Sequence, residues 1–191
     1  MAASWFVHDY DQISTPPNQF EILDLAIPAF LDAVPKFQAM RRAFHAGRPS
    51  SLTKTLGELA RTIRRVPIDR DLWDVQEPEV RDILAPLFEA ATKIVGFGPA
   101  VASKLLHRKR PRMIPVIDSY AENAWGTEQR LSKADRMLAV TTAMRNELGE
   151  RRRSRAETRS VAEALGDPYA KLSDLRLYDL LAYQAARSNS T

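Results

Sequence analysis

The chain has 191 residues, 45% of them hydrophobic, with 28 Lys and Arg against 24 Asp and Glu, a formal net charge of +4. That length and apolar content suit one compact domain, or two small ones sharing a core, and so modest a charge excess does not by itself mark a nucleic-acid binder. The absence of cysteine excludes disulfides, cysteine-ligated zinc and iron–sulfur clusters, and His8, His45 and His107 are too scattered for a helical metal pair.

At the N-terminus, "MAASWFVHDYDQ" lacks a basic region followed by a long apolar run, so no secretory signal is expected. No apolar stretch reaches the roughly 18 residues of a membrane span. The expectation is a soluble, cytoplasmic protein without a membrane partner. Residues 1–18 read as an N-terminal arm with a turn at "STPPN". Its Trp5, Phe6 and Tyr10 could cover a cleft if the arm folds back.

From Gln19 the apolar spacing turns helical, with Phe20, Leu23, Ala26 and Ile27 three or four apart. Pro28 should bend or end this helix, and Pro35 should end its continuation. "KFQAMRRAFHAG" reads as a short helix stopping at Gly47. Ser51 can cap a third helix, with Leu52, Leu56, Leu59, Ile63 and Val66 on one face. After the connector "VPIDRDLWDVQEP", Pro78 suits the first turn of a helix running through Val80, Ile83, Leu84, Leu87 and Phe88.

Gly96-Phe97-Gly98 then separates the apolar helical segments "LFEAATKIV" and "PAVASKLL". The glycines allow a sharp turn at φ values other residues resist, and Pro99 suits the first position of the second helix. Amides of Gly98 and the following turn, near the positive end of that helix, offer a place for phosphate. Ala102, Leu105 and Leu106 should pack the two helices together, with Phe97 filling the hairpin. The alternative is an ordinary αα-hairpin.

His107 to Arg112 follows, placing Arg108, Lys109, Arg110 and Arg112 within six positions. Pro111 and Pro115 predict a stiff loop here rather than a helix. Such cations neutralise phosphates and release counterions; a solvated charge run is the plainer alternative. Asp118 closes the apolar "MIPVID". It stands at or just before a helix start, where Ser119 with Glu122 forms a capping box and an acid favours the helix's positive end.

"SKADRMLAVTTAMRNEL" opens on a Ser132/Asp135 capping pattern and is amphipathic. "RRRSRAETRSVAEALG" predicts a helix ending at Gly166, with Arg151, Arg152, Arg153, Arg155 and Arg159 on an exposed face. "LSDLRLYDLLAYQAAR" predicts a last helix capped by Ser173. No period-2 strand pattern of any length occurs. The expectation is an all-α fold of about nine helices: one domain over 19–187, with 188–191 as a frayed tail.

Val95, Gly96, Phe97, Gly98, Ala102, Leu105 and Leu106 fill the pattern of the helix-hairpin-helix motif. The stretch from Leu87 to Trp125 resembles the central region of the helix-hairpin-helix DNA glycosylase superfamily. There the hairpin leads through a proline-containing loop to an aspartate, and Gly98 to Asp118 is twenty positions, in agreement with that family. The resemblance implies a single-domain helical bundle that binds duplex DNA mainly through its phosphates. The implied contacts are Gly96, Phe97, Gly98, Ala100, Lys104, Arg108, Lys109, Arg110 and Arg112. It implies a monovalent cation, sodium or potassium, on backbone carbonyls of Thr92, Ile94 and Phe97, and no required cofactor otherwise.

It also implies Asp118 as the catalytic carboxylate of a monofunctional DNA N-glycosylase, stabilising positive charge on the sugar and orienting water after the damaged base leaves the stack. Tyr120 and Trp125 could stack on that base or simply pack the core, and for Trp125 core packing is the favoured reading. Ala100 stands where strand-cutting relatives carry lysine, so lyase chemistry is not expected, and the family's cysteine cluster is absent. The alternatives are a non-catalytic helix-hairpin-helix DNA-binding protein and a helical interaction protein whose basic surface meets an acidic partner.

Overall fold

The spacing of apolar residues along the chain is answered by helices. In a computed structural model, which describes residues 10–31, 33, 49–125, 128 and 130–188, no β-strand occurs among the described residues. The α-helices are α1 (Pro49–Ile63), α2 (Glu77–Thr92), α3 (Pro99–Lys109), α4 (Ser119–Ala124), α5 (Lys133–Glu150), α6 (Arg152–Leu165) and α7 (Asp174–Ser188). Short 3-10 segments cover Ile22–Leu31, Leu72–Asp74 and Tyr169–Lys171. The chain is an all-α single domain.

Most starts and stops follow local chemistry. Pro78 lies in the first turn of α2, where its missing N–H costs no helical bond. The Ser132 hydroxyl accepts from the Asp135 amide at 3.1 Å and starts α5, and the Ser173 hydroxyl accepts from the Arg176 amide at 3.1 Å and starts α7. Gly166 ends α6 at φ +71, a left-handed conformation that other residues resist. Two boundaries differ from expectation. The first helical stretch is a tighter 3-10 segment that continues through Pro28 to Leu31. Helix α1 begins at Pro49, ahead of Ser51. The short helix expected at 36–47 lies outside the described residues, as do Trp5 and Phe6. Helix α7 includes Ser188, and the rest of the expected tail lies outside.

One hydrophobic core joins these elements. Helix α5 lies along α2 and buries Met137, Val140, Met144 and Leu148 against a face of α2 that includes Val80, Leu84, Leu87 and Phe88. Helix α3 packs on α5, on α2 and on the Ile22–Leu31 segment. Helices α6 and α7 pack on each other, with Ala162, Leu172 and Leu177 as a separate small cluster. The arginines of α6 divide. Arg153 is exposed and pairs with Glu157, whereas Arg155 stacks over Trp73 at 4.2 Å and Arg159 binds Asp174 and the Ala170 and Leu172 carbonyls. Part of the expected exposed face therefore ties α6 to its neighbours.

The basic run after the glycine turn departs most from expectation. Helix α3 continues through His107, Arg108 and Lys109, so the predicted stiff loop starts only at Arg110. The cations point back into the protein. Arg110, 1% exposed, donates to the carbonyls of Val66, Pro17, Lys109 and Ile63 and to the Asn18 side chain. Lys109 binds Asp24 at 2.9 Å and the Pro16 carbonyl at 3.1 Å. Arg108 donates to the Ile13 carbonyl and lies 3.9 Å from Asp11. Burying these charges requires a partner for each donor, and residues 11–18 supply most of them. Residues 11–18 are thereby fastened to α3 as part of the fold.

A candidate active-site cleft beside the glycine turn

The turn itself stands in solvent. Val95 is 61% exposed, Gly96 is exposed at φ +87, and Phe97 alone is driven inward, at 1% exposure. Only Gly96 needs glycine's freedom, because Gly98 has an ordinary φ of −96. A Cβ at Gly98 would meet nothing within 4 Å. Gly98 is the N-cap of α3 and contributes no side-chain cap, which leaves the first amides of that helix without the usual Ser or Asp oxygen.

From the other end of α3 the chain returns along the helix in the buried segment Met113–Ile117. Two side chains one helical turn apart fix this return. His107 Nδ1 bonds the Ile114 carbonyl at 2.6 Å, and the Ser103 hydroxyl bonds both the carbonyl and the amide of Ile117, at 3.1 and 2.8 Å. His107 is fully buried, and burial first of all pushes its pKa down to about 3, so it stays neutral, with Nδ1–H as the donor to Ile114. These anchors deliver Asp118 to the N-terminal turn of α3.

Asp118 is the N-cap of α4, a place expected for Ser119 or for the acid beside it. Its Oδ1 accepts from the amides of Tyr120 and Ala121 at 2.9 and 3.0 Å. Its Oδ2 has no hydrogen bond among the described residues. A cleft of about 520 Å³ opens here, lined by Gly98, Pro99, Ala100 and Val101 of the turn, by Asp118 and Tyr120, and by Arg176, Asp179 and Tyr183 of α7. Tyr120 meets Tyr183 edge-to-face, with ring centroids 5.4 Å apart. The expected aspartate and the expected turn thus face one hollow.

The cleft floor is charged. Arg176, 3% exposed, binds Asp11 at 3.0 Å and Asp179 at 2.5 Å. Burial above all raises the Asp179 carboxyl, to about 6; Arg176 opposes this and Asp118 adds to it. Burial also raises Asp11, against the pull of Arg176. Tyr10, fully buried, donates to the Lys104 carbonyl at 2.5 Å. Two carboxyl groups in one cleft are thus held in different environments.

The chain belongs to a family of unknown function (DUF6308). The match covers residues 3–186. No curated protein and no solved structure matches the chain.

The residues singled out from this member's sequence fall into two groups. Gly96 and Gly98 lie on the exposed turn, while Ala100, Asp118 and Tyr120 border the cleft. Lys104, Lys109 and Arg110 are corrected: buried, with their ammonium or guanidinium groups on Leu31, Asp24 and other internal oxygens, they do not form a cationic surface. Arg108 is largely committed to Ile13 and Asp11, and Arg112 to Asp71. Trp125 takes the core-packing alternative. It packs against the core and donates to Glu147 at 3.0 Å, so core packing and not base stacking describes it.

Two of the three carbonyls expected to hold a monovalent cation already accept a hydrogen bond. Phe97 O accepts from the Lys133 ammonium at 3.2 Å, and Ile94 O accepts from the Phe97 amide at 3.0 Å. Lys93 and Lys133, both exposed, flank the turn in place of the buried cations. Sequence reasoning missed Lys133 and Asp179; each sits at an unremarkable position of an amphipathic helix, and only tertiary packing brings it to the site. Among the described residues no group of His, Asp or Glu could hold a metal ion.

Proposed function

We propose that this protein is a monofunctional DNA N-glycosylase that hydrolyses the bond between a damaged base and its sugar, with Asp118 as the catalytic carboxylate. One observation carries the reading: Asp118 and the amide-bearing turn Gly98–Val101 border a single cleft. A base leaving the duplex would enter that cleft, while its phosphate strand lies over the exposed turn between Lys93 and Lys133. Asp118, with one oxygen fixed by two amides, keeps the other for the sugar cation or the attacking water. Lys133 takes the place that the resemblance to helix-hairpin-helix glycosylases gives to a monovalent ion. A DNA substrate puts the protein inside the cell, and no described helix is long and apolar enough to cross a membrane.

The test is abasic-site formation on duplex oligonucleotides that each carry one damaged base. Asp118→Asn keeps the cap and should cut the rate at least about 100-fold with an unchanged melting temperature. Equal rates for wild type and variant would defeat the assignment. A second reading, a non-catalytic DNA-binding protein, is favoured by the capping bonds of Asp118, which give that carboxylate a structural reason to be there. It predicts salt-sensitive duplex binding with no base released from any substrate.

A further inference from the structure

We propose that Asp179 is the proton donor of the same cleft, and that the substrate class is therefore an uncharged damaged base. This rests on the N-glycosylase reading above. Asp118 and Asp179 come from distant parts of the chain, the cap of α4 and the middle of α7, yet both line the cavity. Their surroundings differ. Asp118 sits at a half-exposed helix start and is held by two amides. Asp179 has a side chain only 12% exposed and shares Arg176 with a second acid, Asp11. One guanidinium thus serves two carboxyl groups, with a third, Asp118, across the cleft.

Lys104 and Arg108 also bring positive charge to these acids, so what sets Asp179 apart is its burial. Lys104 gives its ammonium to the Leu31 carbonyl, and Arg108 lies against Ile13 and Asp11. Glu122 pairs with Arg136. Burial first of all lifts the Asp179 carboxyl, with Asp118 and Asp11 adding to it and Arg176 opposing. Two acids of unequal burial in one cleft are the pattern of a general acid beside a second carboxyl group with another role.

The chemistry then names the substrate. An uncharged base departs as an anion unless a ring nitrogen is protonated; an alkylated, cationic base departs neutral without help. In the proposed step the Asp179 proton moves to a ring nitrogen as the sugar–base bond breaks, and that electron pair goes to the base. Water bonds the sugar carbon and loses its proton to Asp118. The two acids exchange protonation states and are reset through solvent. Release of a cationic base needs no proton donor in the cleft.

The experiment compares single-turnover release of hypoxanthine or uracil, both uncharged, with release of 7-methylguanine, which is cationic, from matched duplexes. Asp179→Asn should slow release of the uncharged bases by about 100-fold or more, and release of 7-methylguanine by a much smaller factor. Carbon-13 spectra of the wild type should show the Asp179 carboxyl titrating well above an ordinary aspartate, and falling in Asp118→Asn. Release that depends on Asp118 but slows equally for both classes in Asp179→Asn overturns the proton-donor role alone. So does an Asp179 carboxyl that titrates normally. Release of no base of either class overturns the glycosylase reading and this one together.

Discussion

Lys109 and Asp24 show how far a residue's role depends on its surroundings. Their charged atoms lie 2.9 Å apart with side chains 0% and 5% exposed, and Lys109 also lies 5.2 Å from the centre of the Phe20 ring. Removing one partner strands a buried charge. Lys109→Met should therefore cost about 3–5 kcal/mol of stability in urea unfolding, whereas adding Asp24→Leu should restore most of it. A loss under 1 kcal/mol, about what exposed pairs are worth, would mean that Lys109 reaches solvent. At this scale the sequence was legible in kind but not in direction. A run of four cations in six positions reads as a surface, because the oxygens that absorb it belong to Ile13, Pro16, Pro17 and Asn18, more than ninety positions earlier.

Among the elements, the turn between α2 and α3 is the one on which the site depends. Its two glycines are unequal. Gly96 at φ +87 occupies a conformation costing an L-residue about 1–2 kcal/mol, and Gly98 does not. Gly96→Ala should lower thermal stability by that amount, while Gly98→Ala should leave it nearly unchanged; calorimetry on the two variants separates them. Equal losses would show that the turn differs from the one described. Elements governed by neighbours in sequence were the readable ones: Pro78, Ser132, Ser173 and Gly166 mark helix ends by local chemistry. At the start of α4 the sequence left two candidates, because Asp118 and Ser119 both satisfy the capping rule, and Asp118 is the one that accepts the helix amides.

For the molecule as a whole, two buried groups set opposing pH responses. Burial above all pushes the His107 pKa down from the ordinary 6.5 to about 3. The unfolded chain binds a proton there first, so stability is present above pH 6.5 and is lost as pH falls toward 3. Asp179 has its pKa raised from 3.8 to about 6. The folded chain binds that proton first, so stability is present below pH 3.8 and is lost as pH rises through 6. Between pH 4 and 6 the two slopes oppose each other. Asp179→Asn should therefore make the melting temperature fall more steeply on acidification over that interval, and His107→Leu should reverse the slope. Parallel curves for wild type and both variants would refute the assignment. Neither group stands out in the sequence: His107 hides in a basic run and Asp179 in an amphipathic helix, and burial gives each its property.

The fastening of residues 11–18 onto α3 reaches beyond stability. Asp11, which shares Arg176 with Asp179, arrives on that same length of polypeptide, so whatever loosens the beginning of the chain also alters the charge beneath the cleft. A version shortened to start at Gln19 would strip Arg110 of two acceptors and leave Arg176 with a single acid, weakening the architecture and retuning the site in one stroke.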